Sequence, residues 1–130
     1  MAEFLQNLTQ NSFLNHLGFE MVQLDVDSVA LKLLVQPDHH NLNQTLHGGV
    51  HAAMLESIQT MVIQSIYKTK TSVMNLNVHY LAPVSTGEIM ATAKIIQKGY
   101  KVAMAEAKII GEKQQLIATG TGVYKILRDS

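Results

Sequence analysis

The sequence predicts an α+β domain in which a mainly antiparallel sheet packs against one long central helix. Residues 48–67 carry apolar side chains around most of a helix surface, which is typical of a helix buried on nearly all sides. Strand-like segments lie on both sides of it along the chain, two before and four after. One helix covered by one sheet is a stable layered arrangement, and 130 residues suffice for a single domain, 1–130, with a sizeable core.

The segment before the central helix predicts a short helix, two strands and a loop. Apolar residues recur at roughly helical spacing over 2–16, which predicts an N-terminal helical segment (1–16) ended by Gly18. Two strands follow, at 19–24 and 29–35, and a polar turn at 25–28 joins them. Residues 36–46 contain a proline and several polar residues without a regular apolar period, so we expect a loop there.

The segment after the central helix predicts four strands separated by short turns. They are expected at 73–81, 89–97, 102–110 and 116–127. Alternation in the first of them places Asn75, Asn77 and His79 on one face. We expect that face to meet solvent or another subunit, with pocket lining as the alternative.

The composition excludes several classes of protein. Ten basic and ten acidic residues cancel at a pI near 7.0, which argues against nucleic-acid or anionic-membrane partners. The chain has no cysteine, so it has no disulfide, thiol nucleophile or cysteine metal site. The N-terminus lacks a signal-peptide pattern, and no apolar run reaches membrane-spanning length. We therefore expect a cytoplasmic protein.

The start of the central helix carries the strongest chemical signal. His47, Gly48 and Gly49 open the helix, and Glu56 follows among apolar residues. A glycine pair at a helix start leaves backbone N–H groups free to hold a developing negative charge. A carboxylate buried in an apolar helix is costly unless it is paired or used. One segment therefore offers an oxyanion binder together with a nucleophile or general base, although a structural ion pair remains an alternative for Glu56.

Short motifs with the same order and spacing as a known family extend this signal. They are Asn41, Thr45-Leu46-His47-Gly48-Gly49, Glu56, Asn77-Val78-His79-Tyr80-Leu81-Ala82-Pro83, Gly87-Glu88, Gly99-Tyr100-Lys101 and Ala118-Thr119-Gly120-Thr121-Gly122. Over roughly residues 17–126 the chain resembles the hotdog-fold acyl-CoA thioesterases of the phenylacetate-pathway type. The resemblance implies a sheet wrapped around the central helix and hydrolysis of a thioester to a free acid and coenzyme A.

The resemblance also implies roles for particular residues. Gly48 would supply the oxyanion N–H, His47 and Asn41 would shape the site, and Glu56 would act as nucleophile or general base. Gly49 would contribute to substrate binding. A turn would bind the phosphates of coenzyme A, where lysines act as point charges; it consists of Lys98, Gly99, Tyr100 and Lys101. Acyl-CoA is then the substrate, and no separate cofactor is expected.

Two positions depart from the family pattern. Gln44 stands where a glycine is common, and Val73 stands where some members place a water-orienting Ser or Thr. Alternation points Ser72 to the other face of its strand. Ser57 or Gln59 could substitute for the missing hydroxyl.

Histidines crowd the region before the helix, which raises the question of a metal. His47 and His51 have the i, i+4 spacing of a zinc-binding pair, but no His-Glu-x-x-His pattern is present. We therefore expect no metal, and we expect His39 and His40 to be solvated loop residues.

Helix geometry predicts an oligomer. Gly48 and Glu56 are about 12 Å apart at 1.5 Å per residue, whereas attack requires the acid or its water about 3 Å from the thioester carbon. Two antiparallel subunits would solve this by pairing Gly48 of one with Glu56 of the other. We expect a homodimer at least, and the resemblance implies a tetramer. A non-catalytic acyl-CoA binder or sensor and a hotdog hydratase remain alternatives.

Overall fold

The computed structural model describes residues 10–24 and 28–128, in which one long helix packs against a six-stranded antiparallel sheet. The α-helices and strands are α1 (Ser12–Leu17), β1 (Glu20–Gln23), β2 (Val29–Leu34), α2 (Gly48–Tyr67), β3 (Thr71–Tyr80), β4 (Glu88–Lys98), β5 (Val102–Ile110) and β6 (Leu116–Ile126), with a 3₁₀ turn at Pro37–His39. The strand order is β1-β2-β4-β5-β6-β3. The α+β prediction and the element order are confirmed.

Helix α1 is short and is closed at both ends. The Asn11 side chain accepts hydrogen bonds from the N–H groups of Phe13 and Leu14. Gly18 ends the helix in the left-handed region at φ 88°, where a glycine carries no steric cost. The predicted end at Gly18 is confirmed. Residues 2–9 of the predicted helix and 25–27 of the predicted turn lie outside the described residues.

Helix α2 has the bounds that the sequence predicted. His47 caps its start by accepting the N–H of Gly49, and Lys68 ends it in the left-handed region at φ 56°. Met54, Leu55 and Ile58 are fully buried in the main core cluster together with side chains of the surrounding sheet. The sheet therefore covers the apolar surface that the sequence required to be buried.

Strand β3 lies at one end of the sheet and pairs with β6. A register irregularity between Val73 and Asn75 interrupts the simple alternation of this strand. Val73 pairs with the buried Tyr124 and so faces α2, whereas Asn75 and the residues after it resume alternation in the opposite sense. Simple alternation along the predicted strand 73–81 would put Val73 on the same face as Asn75; the irregularity separates them.

The polar face of β3 belongs to the outer surface of the sheet. His79, but not Asn75 or Asn77, lines a shallow groove of about 590 Å³ there, beside the Lys94–Glu106 ion pair (3.1 Å). Within residues 10–24 and 28–128, no helix is long and apolar enough to cross a membrane.

Candidate active site at the start of the central helix

The loop before α2 is held together by Asn41. Its Oδ1 accepts the N–H groups of Asn43 (2.8 Å) and Thr45 (3.1 Å), and its Nδ2 donates to Oγ1 of Thr45 (2.9 Å). Gln44 lies within this loop at φ 62°, a left-handed conformation that favours glycine. The loop thus keeps the backbone shape that a glycine would adopt, and Asn41 is engaged in shaping it.

The first turn of α2 leaves one N–H group available. Nδ1 of His47 accepts the Gly49 N–H at 2.7 Å, and the His47 carbonyl accepts the Val50 N–H at 2.9 Å. Among the described residues, the N–H of Gly48 has no acceptor. A free N–H at a helix start coincides with the positive end of the helix dipole and favours negative charge.

Tyr80 contacts the same turn from β3. Its hydroxyl donates to the Gly48 carbonyl at 3.0 Å. A Cβ added at Gly48 would lie 3.2 Å from the Tyr80 hydroxyl oxygen, so glycine permits this close approach. The two residues line a cavity of about 400 Å³ whose other walls include Asn41, Thr45, His51, Leu81 and Pro83. Tyr80 was not assigned a role from the sequence, although it stands in the motif from Asn77 to Pro83.

His51 is buried against Tyr80 and points back to the helix start. The two rings meet edge to face with centroids 5.2 Å apart, and Nδ1 of His51 lies 3.1 Å from the His47 carbonyl, to which it donates. Burial is the largest effect and lowers the pKa of His51 below its ordinary value of 6.5. The hydrogen bond to the His47 backbone partly opposes this shift, and the electrostatic interaction with His47 adds to it. His51 is therefore a neutral wall of the cavity at neutral pH.

The other histidines are engaged separately. His39 is buried; its Nδ1 accepts the Gln36 N–H at 2.9 Å and its Nε2 donates to the Leu17 carbonyl at 2.6 Å. The expectation of a solvated His39 is wrong, because this ring ties α1 to the loop. His40 contacts the Ser85 carbonyl at 2.8 Å. Among the described residues, no group of three or more His, Cys, Asp or Glu side chains converges as metal ligands would.

Glu56 lies two turns along α2, half-buried, with its carboxylate oriented by a neighbour. Thr60, one turn further, donates from Oγ1 to Oε1 of Glu56 at 3.0 Å. Both residues line a cavity of about 290 Å³ between α2 and α1. The i, i+4 spacing of Glu56 and Thr60 was the sequence signal that could have identified this pair.

Gln59 is occupied in the core and does not line this cavity. Its Oε1 accepts the Tyr124 hydroxyl at 3.0 Å, and its Nε2 donates to the Gly120 carbonyl at 3.4 Å. Burial and the charge of Glu56 raise the pKa of Tyr124, so its hydroxyl stays protonated and remains a donor. Of the two residues suggested as water-orienting substitutes, only Ser57 lines the Glu56 cavity.

The turn of residues 98–101, hereafter the lysine-rich turn, lies at the end of α2 opposite to Gly48. Tyr67, the last helical residue, donates its hydroxyl to the Gly99 carbonyl at 2.5 Å, and Lys98 lies over the Tyr67 ring. Tyr100 stacks under the Arg128 guanidinium at 4.0 Å. Since α2 is about 28 Å long from Gly48 to Tyr67, one protomer brings Asn41, His47, Gly48 and Gly49 together but keeps Glu56 and residues 98–101 apart from them.

Comparisons with known proteins agree with this architecture. A sequence model of the thioesterase superfamily matches residues 43–118, which include both the start of α2 and Glu56. Acyl-coenzyme A thioesterase 13 of Mus musculus is 30% identical over 103 residues, which cover 77% of this chain and 74% of that protein. The human protein of the same name is 30% identical over 95 residues, 71% of this chain and 68% of that protein.

Solved structures show the same fold. A thioesterase from Haemophilus influenzae superposes with a TM-score of 0.89 at 24% identity, covering 98% of this chain and 91% of that one. The PaaI protein from the phenylacetic acid degradation operon of E. coli superposes with a TM-score of 0.88 at 16% identity, covering 99% and 96%. The prediction of a hotdog fold, with the sheet wrapped around the central helix, is confirmed.

Proposed function

The chain belongs to the thioesterase superfamily, and on that premise we propose that it is an acyl-coenzyme A thioesterase that hydrolyses a thioester to a free acid and coenzyme A. The observation that carries the proposal is the presence of two chemically suitable groups on helix α2. Its first turn offers the free N–H of Gly48, and its third turn offers the Glu56 carboxylate held by Thr60. Relatives named acyl-coenzyme A thioesterase 13 support the same reaction.

The Gly48 N–H is suited to the charge that develops during thioester cleavage. Attack on the carbonyl carbon moves negative charge onto the carbonyl oxygen, and a preorganised backbone donor stabilises that charge without rearrangement. The Tyr80 hydroxyl holds the carbonyl of Gly48, and the His47 side chain holds the N–H of Gly49, which belongs to the same peptide. Both contacts support a fixed direction for the Gly48 donor.

Glu56 supplies either the base or the nucleophile. As a base, it takes a proton from water while the oxygen of that water attacks the thioester carbon. As a nucleophile, its own oxygen attacks, and water later hydrolyses the resulting anhydride. Either route releases coenzyme A as the thiol. Thr60 donates to Oε1, and Oε2 has no hydrogen-bond partner among the described residues, which supports Oε2 as the reacting oxygen.

A second copy of the chain would bring these two groups to one thioester. Gly48 and Glu56 of one helix are about 12 Å apart, so we propose that Gly48 acts with Glu56 of the partner subunit. The edge of the sheet at β3 supports this arrangement, because its outer side has no strand partner in the described part of the chain. Val73 and Tyr80 face the helix side of β3 yet are 45% and 57% exposed, as expected for side chains that a second helix would cover.

The same arrangement assigns the lysine-rich turn to one subunit. Residues 98–101 pack on Tyr67, which is about 16 Å along the helix from Glu56 but about 28 Å from Gly48. We propose that the subunit that supplies Glu56 also supplies Lys98 and Lys101 to the phosphates of coenzyme A. The long arm of coenzyme A would then run along the partner's helix from its thioester to its nucleotide.

Thiol release from a panel of acyl-CoAs tests the proposal. The panel spans acetyl-CoA to lauroyl-CoA and includes phenylacetyl-CoA, because the motifs resemble the phenylacetate-pathway type. We expect turnover by the wild type and a loss of about a hundredfold or more in kcat for Glu56→Gln, the scale of a lost positioned base. The control is Glu106→Gln, which removes a partly exposed carboxylate paired with Lys94 on the outer face.

The outcomes separate enzyme from binder. Turnover that Glu106→Gln retains and Glu56→Gln loses supports the proposed chemistry. Equal turnover by the wild type and a folded Glu56→Gln variant contradicts the role of Glu56. Binding of acyl-CoA without thiol release by the wild type contradicts the enzyme and favours a sensor.

A further inference from the structure

The cavity beside Glu56 is closed by a helix that lies far from it in sequence. Its walls are Asn11, Phe13 and Leu14 at α1 and Glu56, Ser57, Thr60 and Met61 of α2. We propose that this space, hereafter the α1 cavity, receives the acyl group of the substrate and that Phe13 is a specificity-determining residue. The inference rests on the proposed thioesterase function and names its acyl site.

The position of Glu56 requires the acyl group to begin here. The thioester carbon must come within about 3 Å of the carboxylate or of a water that the carboxylate activates. The acyl chain starts at that carbon, so it must occupy space next to Glu56. The α1 cavity, of about 290 Å³, is a space that Glu56 lines.

The chemistry of the walls suits an apolar acyl group of limited size. Phe13, Leu14 and Met61 supply apolar surface, while Asn11, Glu56, Ser57 and Thr60 supply the polar part of the lining. The Thr60 hydroxyl already donates to Glu56, and Oδ1 of Asn11 already accepts the N–H groups of Phe13 and Leu14, so these two side chains are engaged within the protein. A volume of about 290 Å³ is at the small end for ligand sites. The class of substrate is therefore an acyl-CoA with a compact aryl or short alkyl group.

Helix α1 is held firmly enough to act as a wall. Leu14 is buried in the main core, Asn11 caps the helix start and Gly18 closes its end. The Leu17 carbonyl accepts a hydrogen bond from Nε2 of the buried His39 at 2.6 Å. These contacts fix the backbone of α1 relative to α2, so the size of the side chain at position 13 sets the width of the opening.

Phe13 is the wall residue that can be changed without disturbing the core. It is 57% exposed at the rim, whereas Leu14 belongs to the buried cluster. Phe13→Ala widens the α1 cavity, and Phe13→Trp narrows it. Asn15→Ala is the matched control, since Asn15 is an exposed residue of the same helix that does not line the cavity.

The experiment measures kcat/KM over the same panel for the wild type and the three variants, with circular dichroism to confirm folding. We expect Phe13→Ala to raise the octanoyl-CoA to butanoyl-CoA ratio of kcat/KM by about tenfold or more, since tenfold is the lower end of the effect of a single methylene in an apolar site. Phe13→Trp should lower the ratio, and Asn15→Ala should leave it unchanged. A uniform change across all acyl lengths, or the same shift in the control, would overturn the inference.

A parallel measurement separates this inference from the proposed function. Non-hydrolysable thioether analogues of the same acyl-CoAs are titrated by calorimetry. If the wild type releases no thiol but Phe13→Ala still shifts the chain-length preference of binding, the enzyme proposal fails and the acyl site stands. If turnover occurs and neither kcat/KM nor binding responds to Phe13, the acyl site fails and the enzyme proposal stands.

Discussion

The protonation of single side chains near the site is set by their burial. His51 is buried against Tyr80 and next to His47, and Tyr124 is buried beside Glu56. Desolvation disfavours the charged form of each, so the pKa of His51 falls and the pKa of Tyr124 rises. At neutral pH both side chains are uncharged, and Glu56 is the only carboxylate in α2 (Gly48–Tyr67).

The lowered pKa of His51 predicts a pH dependence of stability. The unfolded chain binds a proton on His51 around the ordinary pKa of 6.5, while the folded protein resists it. The contribution of neutral His51 to the free energy of unfolding is therefore fully present above about pH 6.5 and decreases as the pH falls below that value. We expect His51→Asn, which keeps a side-chain donor near the His47 carbonyl, to flatten this loss. Urea unfolding between pH 5 and 7.5 checks it; parallel curves for the two proteins would contradict it.

At the scale of elements, the start of α2 presents the proposed oxyanion donor. Gly48 is the first helical residue, where proline is compatible with a helix, and His47 already has the extended backbone (φ −63°, ψ 137°) that a following proline requires. The donor can therefore be removed without breaking the helix.

We expect Gly48→Pro to lower kcat by about a hundredfold to a thousandfold, the effect of a lost oxyanion donor, with a smaller change in substrate binding. Gly48→Ala is the control, because both variants add a Cβ near Tyr80 but only proline removes the N–H. Steady-state kinetics and analogue binding of both folded variants test this. Equal kcat for the two variants would assign the loss to crowding of Tyr80.

The lysine-rich turn between β4 and β5 is the second element whose proposed role can be tested separately from catalysis. Lys98→Ala/Lys101→Ala should raise KM for acyl-CoA roughly fivefold, about 1 kcal/mol for exposed charges, and leave kcat nearly unchanged because the phosphates do not react. The effect should shrink with added salt. Lys108→Ala/Lys113→Ala removes the same charge elsewhere and should not change KM. A short thioester without the nucleotide should be hydrolysed equally by all; losses on that substrate would exclude the phosphate role.

At the scale of the whole molecule, the proposed site needs two chains. Glu56→Gln and Gly48→Pro homodimers should each be inactive. A mixed dimer would hold one complete site, formed by Gly48 of one subunit and Glu56 of the other. Co-expression of equal amounts should therefore recover about a quarter of wild-type activity, since half of randomly assorted dimers are mixed and each has one of two sites. Light scattering establishes the assembly; no recovery in co-purified mixed dimers would refute the composite site.

The sequence by itself determined the features that depend on local chemistry. The bounds of α2 follow from the His47 cap and the unbroken apolar surface, and the end of α1 follows from Gly18. The element order follows from the change between helical and strand periods. The spacing of Gly48 and Glu56 became a distance without any structure, because a regular helix converts residue number into length.

Only the tertiary structure decided which distant segments meet. It brought Phe13 and Glu56 to one cavity, buried His39 under α1, placed β3 at the sheet edge and set the lysine-rich turn on Tyr67 at the far end of α2. Each of these contacts joins residues separated by twenty or more positions and depends on how the sheet curves and packs around the helix. Local propensity carries no record of such packing, so the α1 wall of the Glu56 cavity became visible only when the chain was folded.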